Sequence, residues 1–410
     1  MPTHGTAVLS EREHAFCRAV ERRRDDLLAD LRLHVGLPTG GNNAPALDET
    51  RERLTDRLRA IGATVELIPG DPRPDWLYGR SASGPIPPTA VCRKRSKRSG
   101  VPRVLLVGHL DTVHDPMGRF RELTIGADGT TATGPGCVDM KGGLVILVAA
   151  LESLVEAGID AEWTVVFNSD EETGSYHSNA VLTAEATKHD AGLVVEPALP
   201  GGALAIERMG SGQFCLRTYG RSAHVGRDFG SGVSAVTALA RCLIAVADMA
   251  DSEGGMIANV GPLEGGTVTN AVPDRAQAWG NVRYATPEAA ATLASKLDAL
   301  ATDADAVPRV EVLRSFNRPA KPLTPGTRAL AELARAAAEG LGQSLPFAKT
   351  GGVCDGNQLQ ACGLPTIDTL GVRGGGLHTP GEWIELASLV ERCQLLGVVV
   401  ARVSEGRLKV

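Results

Sequence analysis

Four short apolar segments, each with a histidine or an acid at or beyond its carboxyl end, constrain the fold of this chain most strongly. In chain order these residues are His109 after 104–108, Glu171 and Glu172 after 163–169, Glu196 near the end of 192–197, and His378 after 365–371. Helical segments separate the apolar ones, and that alternation is typical of a mostly parallel sheet covered by helices on both faces. Because open α/β sheets bind ligands at the carboxyl ends of their strands, we expect these side chains to converge.

Residues 208–318 follow a different pattern. Their predicted order is strand, helix, strand, strand, helix, strand, which is the ferredoxin-like arrangement. A length of 410 residues allows two domains. We therefore predict an α/β catalytic domain formed by 1–207 and 319–410, with an inserted α+β lid or dimerisation domain at 208–318.

The amino-terminal part is predicted to be helical. Ser10 and Glu13 form a capping-box signature, and apolar residues recur behind them at helical spacing, which predicts a helix from about residue 10 to 34. Further helices are predicted near 47–61, after Asp139, and at 385–400.

Composition excludes several classes of function. The net charge of −6 gives no nucleic-acid footprint. One basic run, 93–98, is predicted to be a solvated loop, with a lipid or nucleic-acid contact as the alternative. No apolar segment has the length of a membrane span, and the first residues lack a signal core. Eight cysteines without a CxxC pair favour free thiols and a cytoplasmic location.

The candidate residues share the chemistry of metal ligands. Two histidines and three carboxylates can hold a pair of divalent cations if they converge, and this donor set suits zinc, with cobalt, manganese or nickel as alternatives. Asp139 is expected to open the following helix, where the helix dipole stabilises an anion, and a simple N-cap is the other interpretation. Asp111 is expected to accept the imidazole N–H of His109 and fix its tautomer. Cys137 is interpreted as a packing residue.

Such a pair of metals would lower the pKa of a bridging water and polarise a scissile carbonyl. Glu171 cannot bind metal while its neighbour does, so it is free to take the water proton and pass it to the leaving nitrogen. The set therefore predicts hydrolysis of an amide bond.

The strings that carry these residues resemble a known family. They are GHLDTV (108–113), GPGCVDMKGG (134–143), NSDEETGS (168–175), VVEPA (194–198) and GLHTPGE (376–382). They look like the dinuclear zinc metallopeptidase family that contains bacterial glutamate carboxypeptidase, acetylornithine deacetylase, succinyl-diaminopimelate desuccinylase and aminoacylase, with glutamate carboxypeptidase nearest. The resemblance runs from about residue 20 to the end of the chain.

The resemblance implies roles for the ligand set. Asp139 would bridge the metals, His109 and Glu196 would complete one site, and Glu172 and His378 would complete the other. Glutamate rather than aspartate at position 196 favours carboxypeptidases and deacylases over the tripeptidase-like branch.

The resemblance also implies a homodimer formed through the inserted domain. His224, in GRSAHVG (220–226), resembles the family histidine that reaches an active site, usually that of the partner subunit, and it would donate to the tetrahedral oxyanion. The alternative is a surface histidine in a loop.

Carboxylate binding is the implied role of a further set. Asn270, Arg283 and Arg318 resemble residues that bind substrate carboxylate, and a guanidinium fork suits that group. Arg283 could instead be a solvated strand residue, and Arg318 could be part of a hinge ion pair. Arg208 is a weaker candidate. Arg373 departs from the family pattern and could face either the pocket or solvent.

The leading hypothesis is a carboxypeptidase-like enzyme acting on a small amide or dipeptide-like substrate. An N-acyl-amino-acid deacylase, such as one removing a protecting group in biosynthesis, is the alternative. An aminopeptidase would need an acid to hold a free α-amine, whereas the predicted pocket residues are basic. A metal-free binding or scaffold protein is the alternative from another class, and metal content would distinguish it.

Overall fold

A computed structural model describes residues 8–41, 43–79 and 85–409. The remaining residues of the predicted first catalytic segment, 1–7, 42 and 80–84, lie outside the described part. The helices are α1 Glu11–Arg22, α2 Arg24–Val35, α3 Ala44–Ala60, α4 Gly142–Glu156, α5 Asn179–Ala186, α6 Ala235–Ala247, α7 Pro287–Asp298, α8 Pro325–Gly340, α9 Asp355–Ala361 and α10 Ala387–Ser404.

The strands form four sheets. They are β1 Thr64–Ile68, β2 Thr89–Lys94, β3 Arg103–His109, β4 Thr124–Ile125, β5 Thr131–Thr133, β6 Glu162–Asn168, β7 Ala191–Val194, β8 Leu204–Arg208, β9 Gly210–Tyr219, β10 Met256–Gly265, β11 Arg275–Tyr284, β12 Arg309–Arg318, β13 Phe347–Thr350, β14 Thr366–Ile367, β15 Gly374–Gly375 and β16 Trp383–Glu385.

The largest sheet has the order β1-β2-β6-β3-β7-β14. Strands β6, β3, β7 and β14 run parallel, and β2 pairs antiparallel with β6 at one side. Alternation along β3 divides the core: Val104 and Leu106 pack on the side of α4 and α10, whereas Leu105 and Val107 pack on the side of α5 and α9. The predicted mostly parallel sheet with helices on both faces is confirmed.

The second large sheet has the order β10-β11-β9-β12 and is antiparallel throughout. Helices α6 and α7 pack on it, and its core includes Phe214, Leu239, Val282 and Leu293. The predicted ferredoxin-like order is therefore confirmed. We propose the division at 207/208 and 318/319 as the domain boundaries.

Three sequence predictions need correction. The predicted helix from 10 to 34 is two helices, because the backbone leaves helical geometry at Arg23, whose guanidinium reaches Glu152 and Glu156 of α4. The apolar segment 365–371 forms only the short strand β14. The basic run is not wholly a loop, since its first two residues belong to β2.

Arginines of that basic run form ion pairs with nearby acids. Arg93 pairs with Glu66 and Glu185, and Arg95 pairs with Glu162. Within the described ranges, none of the helices combines the length and apolar character needed to cross a bilayer.

Candidate metal centre and substrate cavity

The carboxyl ends of the parallel strands carry most of the candidate ligands. His109 is the last residue of β3, Glu171 and Glu172 lie in a tight turn just after β6, and Glu196 lies two residues beyond β7. His378 lies in the loop between β15 and β16. Adjacent parallel strands end at the same edge of a sheet, so the fold places these residues beside one another.

Asp139 also lies at this edge of the sheet, but the structural element that carries it is not the one expected. It lies in the irregular turn Cys137–Lys141, where its backbone has φ −118° and ψ 94°, and α4 begins only at Gly142. The expectation that Asp139 opens the helix is therefore wrong, because a separate turn precedes the first helical residue. The preceding Gly136 has φ 69°, in the left-handed region that glycine favours.

The two oxygens of Asp139 face two different histidines. Its Oδ1 lies 3.3 Å from His109 Nε2, and its Oδ2 lies 3.4 Å from His378 Nε2. Glu196 Oε1 lies 3.9 Å from His109 Nε2, and Glu172 Oε2 lies 3.4 Å from His378 Nε2. The described residues thus form two overlapping groups of donors that share the carboxylate of Asp139.

These donors fit divalent cations. Three carboxylate oxygens of the cluster are buried and accept no hydrogen bond from the described part of the chain: Asp139 Oδ1, Glu172 Oε1 and Glu196 Oε1. Buried acids without donors are costly unless a cation compensates them. His109, Asp139 and Glu172 each offer an atom within 4.8 Å of the others, and this spacing could hold a metal ion.

The pKa values of the cluster reflect the same excess of acid. Burial and the neighbouring Asp139 raise the pKa of Glu172 well above its usual value. Burial raises the pKa of Glu196 as well. Burial lowers the pKa of His109, but Asp111, Asp139 and Glu196 outweigh it and leave that pKa well above its ordinary value.

Asp111 contacts both the histidine and the acidic turn. Its backbone carbonyl lies 3.0 Å from His109 Nδ1, and its carboxylate Oδ1 lies 3.4 Å from the same nitrogen. The carboxylate also accepts the backbone N–H groups of Glu171 at 3.2 Å and Glu172 at 3.0 Å. Asp111 therefore links the orientation of the imidazole to the position of the turn.

Glu171 forms an ion pair inside the protein. Arg318 Nη2 donates to Glu171 Oε1 at 2.6 Å, and Arg318 Nη1 donates to Asp355 Oδ1 at 2.7 Å. Burial raises the pKa of Glu171 to about 7 even though Arg318 lowers it. Arg318 also donates to Ser175 and Gln358, so its fork is engaged by protein groups.

A cavity of about 1160 Å³ opens over the cluster. Its lining includes Asp139, Glu171, Glu172, Glu196 and His378. On other sides the lining includes Arg208, Arg283 and Arg318. The cavity is large enough for a dipeptide-sized ligand.

The arginines of the cavity differ in their partners. Arg208 pairs with the fully buried Asp368 at 2.8 Å. Arg283 donates from Nε to Asn281, and its Nη1 is buried without a partner in the described part of the chain. Arg283 is therefore the candidate whose guanidinium is available to a ligand.

Among the described residues, three candidates lie away from both the ligand cluster and the cavity lining. His224 and Asn270 are exposed on adjoining loops of the inserted domain, where the Val225 N–H donates to the Asn270 carbonyl at 3.0 Å. Arg373 is held by Glu385 and Glu391, each at 2.6 Å, so it does not face the metal cluster.

Sequence reasoning missed several residues of the site. Glu382 is fully buried and accepts N–H groups from the turn that contains Asp139. Arg73, Tyr176 and Asn281 line the cavity from three different segments. Glu382 is the last residue of the string GLHTPGE, so its proximity to His378 was a usable signal, whereas no local pattern marks the other three.

A sheet edge that gathers histidines and carboxylates under a large cavity is typical of metal-dependent hydrolases. Residues 105–402 match the family model described as peptidase family M20/M25/M40. The chain belongs to this family, as the resemblance predicted, and it is a hydrolase that acts on amide bonds.

Individual relatives cover nearly the whole chain. Carboxypeptidase G2 of Pseudomonas sp. (strain RS-16) is 26% identical over 413 residues, covering 98% of this chain and 95% of the relative. Succinyl-diaminopimelate desuccinylase of Methylobacterium nodulans is 29% identical over 394 residues, covering 88% and 92%. A tripeptidase structure from Staphylococcus aureus has a TM-score of 0.73 at 22% identity, covering 93% of this chain and 99% of that chain, and it supports the fold alone.

Proposed function

We propose that this protein releases an amino acid with a free α-carboxylate by hydrolysing its amide bond, as a carboxypeptidase does, with two divalent cations bound per chain. The observation that carries the proposal is the position of Asp139, whose two oxygens face His109 and His378. A carboxylate in that position is suited to bridge two cations. Zinc is the ion we propose, with cobalt or manganese as substitutes that the same donors would accept.

The roles of the other donors follow from their positions. His109 and Glu196 would complete one site with Asp139, and Glu172 and His378 would complete the other. Cations bound there would polarise the scissile carbonyl and make a bound water more acidic. Asp111 would orient His109 and keep the turn containing Glu172 in place.

Glu171 is the proposed general base and acid. It would accept the proton of the attacking water and deliver it to the leaving nitrogen. Arg318, fixed by Asp355, would hold Glu171 in place rather than bind the substrate carboxylate. Of the two roles that the sequence suggested for Arg318, substrate-carboxylate binding and a hinge ion pair, we therefore propose the ion pair.

Arg283 is the proposed partner of the α-carboxylate, because its Nη1 is buried without a partner among the described residues. A guanidinium binds a carboxylate well in an enclosed site. Arg208 would support this wall of the cavity through its pair with Asp368. We assign no substrate contact to Arg373, since Glu385 and Glu391 hold it.

A homodimer is part of the proposal. Ile244 of α6, together with Ile257 and Leu263 of β10, is exposed on the inserted domain, and β10 is an edge strand of its sheet. Such apolar surface favours burial against a second copy. His224 and Asn270 would then complete the cavity of the partner subunit, with His224 donating to the oxyanion.

We also propose a cytoplasmic location. All eight cysteines are free thiols, which suits a reducing compartment. Cell fractionation would test this part of the proposal, and recovery of the protein outside the cytoplasmic fraction would contradict it.

An N-acyl-amino-acid deacylase is the second candidate. Its support is the similarity to a succinyl-diaminopimelate desuccinylase over 88% of this chain. Both candidates release a product with an α-carboxylate, so Arg283 would serve either reaction.

A matched substrate panel tests the proposal. The zinc-loaded chain would be assayed with dipeptides and N-acyl amino acids, each paired with an analogue in which a carboxamide replaces the α-carboxylate. We expect turnover of the free acids and a loss of about 10- to 100-fold in kcat/KM for the carboxamides, since a charged hydrogen bond is lost. A preference for dipeptides would indicate a carboxypeptidase, and a preference for N-acyl amino acids would indicate a deacylase. Equal rates for acids and carboxamides, or no amide turnover, would contradict the proposal.

A further inference from the structure

Glu382 connects the segments that carry the candidate ligands. It is not among the residues that line the cavity, and its side chain is fully buried. It lies four residues after His378, in the loop between β15 and β16. A buried carboxylate requires strong compensation, so its partners identify what it does.

The compensation comes mainly from the turn that carries Asp139. Glu382 Oε1 accepts the backbone N–H groups of Val138 and Asp139, each at 2.9 Å, and Oε2 accepts the N–H of Gly136 at 2.9 Å. Several converging N–H groups form an anion-binding concavity. One carboxylate thereby fixes the backbone of Asp139 itself.

A fourth contact reaches the segment that follows β3. His114 Nε2 lies 2.5 Å from Glu382 Oε2, and this histidine is three residues beyond Asp111. The backbone carbonyl of Glu382 also accepts the N–H of Gly134 at 3.1 Å. Glu382 thus joins the Asp111, Asp139 and His378 segments without being one of the proposed ligands.

We propose that Glu382 is a positioning residue of the metal centre, which holds Asp139 in place relative to His378 so that cations bind tightly. This inference rests on the proposed function, because it assigns Asp139 and His378 as ligands. Groups that orient metal ligands from behind typically change metal affinity by about 10- to 100-fold when they are replaced. A residue that only stabilises the fold would change the stability of the metal-free chain and leave the affinity of the folded chain unchanged.

The test compares Glu382→Gln with Glu385→Gln. Glu385 lies only three residues further along the chain, at the end of β16, but its carboxylate pairs with Arg373 and is 42% exposed, which makes it a matched control. Zinc affinity would be measured by competition with a chromogenic chelator, and urea unfolding would be measured on the metal-free chains. We expect zinc affinity about 10- to 100-fold weaker for Glu382→Gln and parental affinity for Glu385→Gln.

A second variant keeps the test decisive if Glu382→Gln does not fold. His114→Ala removes one of the four contacts of the carboxylate, and we expect a smaller weakening of zinc binding in the same direction. Parental affinity in the folded Glu382→Gln chain, or in His114→Ala when that variant must decide, would overturn the inference and leave the proposed function intact. A parent chain that binds no zinc would instead overturn the proposed function, and this inference with it.

Discussion

The ligand cluster and the loops of the inserted domain show two ways of building a site. In the cluster, five candidate ligands and Glu171 meet inside one chain, and supporting contacts such as those of Asp111 and Arg318 hold them. In the inserted domain, His224 and Asn270 are exposed and contact each other's loops rather than the cavity. The difference teaches that the candidate ligands all come from one chain, whereas the full reaction, as proposed, needs a second copy.

The largest expected effect lies within the cluster. Glu171→Gln should lower kcat by about 100- to 10,000-fold, because general acid–base catalysis is lost, while metal content stays at the parental level. Glu172→Gln should instead lose bound metal. Metal analysis and steady-state kinetics on both purified variants check this, and equal metal loss in the two would contradict the separate roles of these neighbours.

The next largest effect is expected at His224 of the inserted domain, which we propose acts in the active site of the partner subunit. His224→Ala should lower kcat by about 100- to 1,000-fold through loss of an oxyanion donor, with metal content unchanged. If His224 serves the partner subunit, mixing this variant with Glu171→Gln at equal amounts should restore activity, to about a quarter of the parental level after random subunit exchange in a dimer.

The control for that mixing experiment combines Glu171→Gln with Glu172→Gln. Both changes lie in the same cluster, so no mixed dimer contains an intact site and no recovery is expected. Absence of recovery in the His224→Ala mixture, after labelled subunits have been shown to exchange, would contradict action in trans.

Smaller effects are expected at two arginines of the cavity, and they should differ in the kinetic constant that changes. Arg283→Met should raise KM for carboxylate substrates by about 10- to 100-fold, because a charged hydrogen bond to the ligand is lost. Arg318→Lys should lower kcat more than it raises KM, since Arg318 holds Glu171. Arg275→Met is the control, because Arg275 is an exposed residue of the same strand as Arg283. An unchanged KM in Arg283→Met would remove Arg283 from the carboxylate site.

The smallest effect is expected at Arg373. Its partners Glu385 and Glu391 are partly exposed, so Arg373→Met should cost no more than about 1 kcal/mol of unfolding free energy. Kinetic constants should stay at parental values. A substantial rise in KM would show that Arg373 faces the substrate after all.

The sequence predicted those features of the fold and site that neighbouring residues determine, and it did not predict contacts between residues far apart in the chain. His109 and Glu196 were predictable because each follows a short apolar strand, and parallel strands deliver their ends to one edge. The irregular turn around Asp139 was not predictable, because an acid shortly before an apolar helical segment is also the pattern of an ordinary helix N-terminus. The partner of Arg318 was also hidden, since Glu171 lies 147 residues away in the chain.

In the inserted domain, too, local patterns predicted the secondary structure but not the packing between distant segments. Its order of strands and helices followed from periodicity, yet the position of His224 relative to the cavity depends on packing between distant parts of the chain. A local motif such as GRSAHVG identifies a residue type and a loop, and it cannot give the subunit that the residue serves.

Calorimetric titration of the metal-free chain with zinc tests the central claim most directly, with Asp139→Asn as the comparison. If Asp139 is shared by two cations, the parent should bind two zinc ions per chain, and the single substitution should abolish tight binding of both. Retention of either ion at parental affinity in a folded Asp139→Asn chain would contradict the shared site.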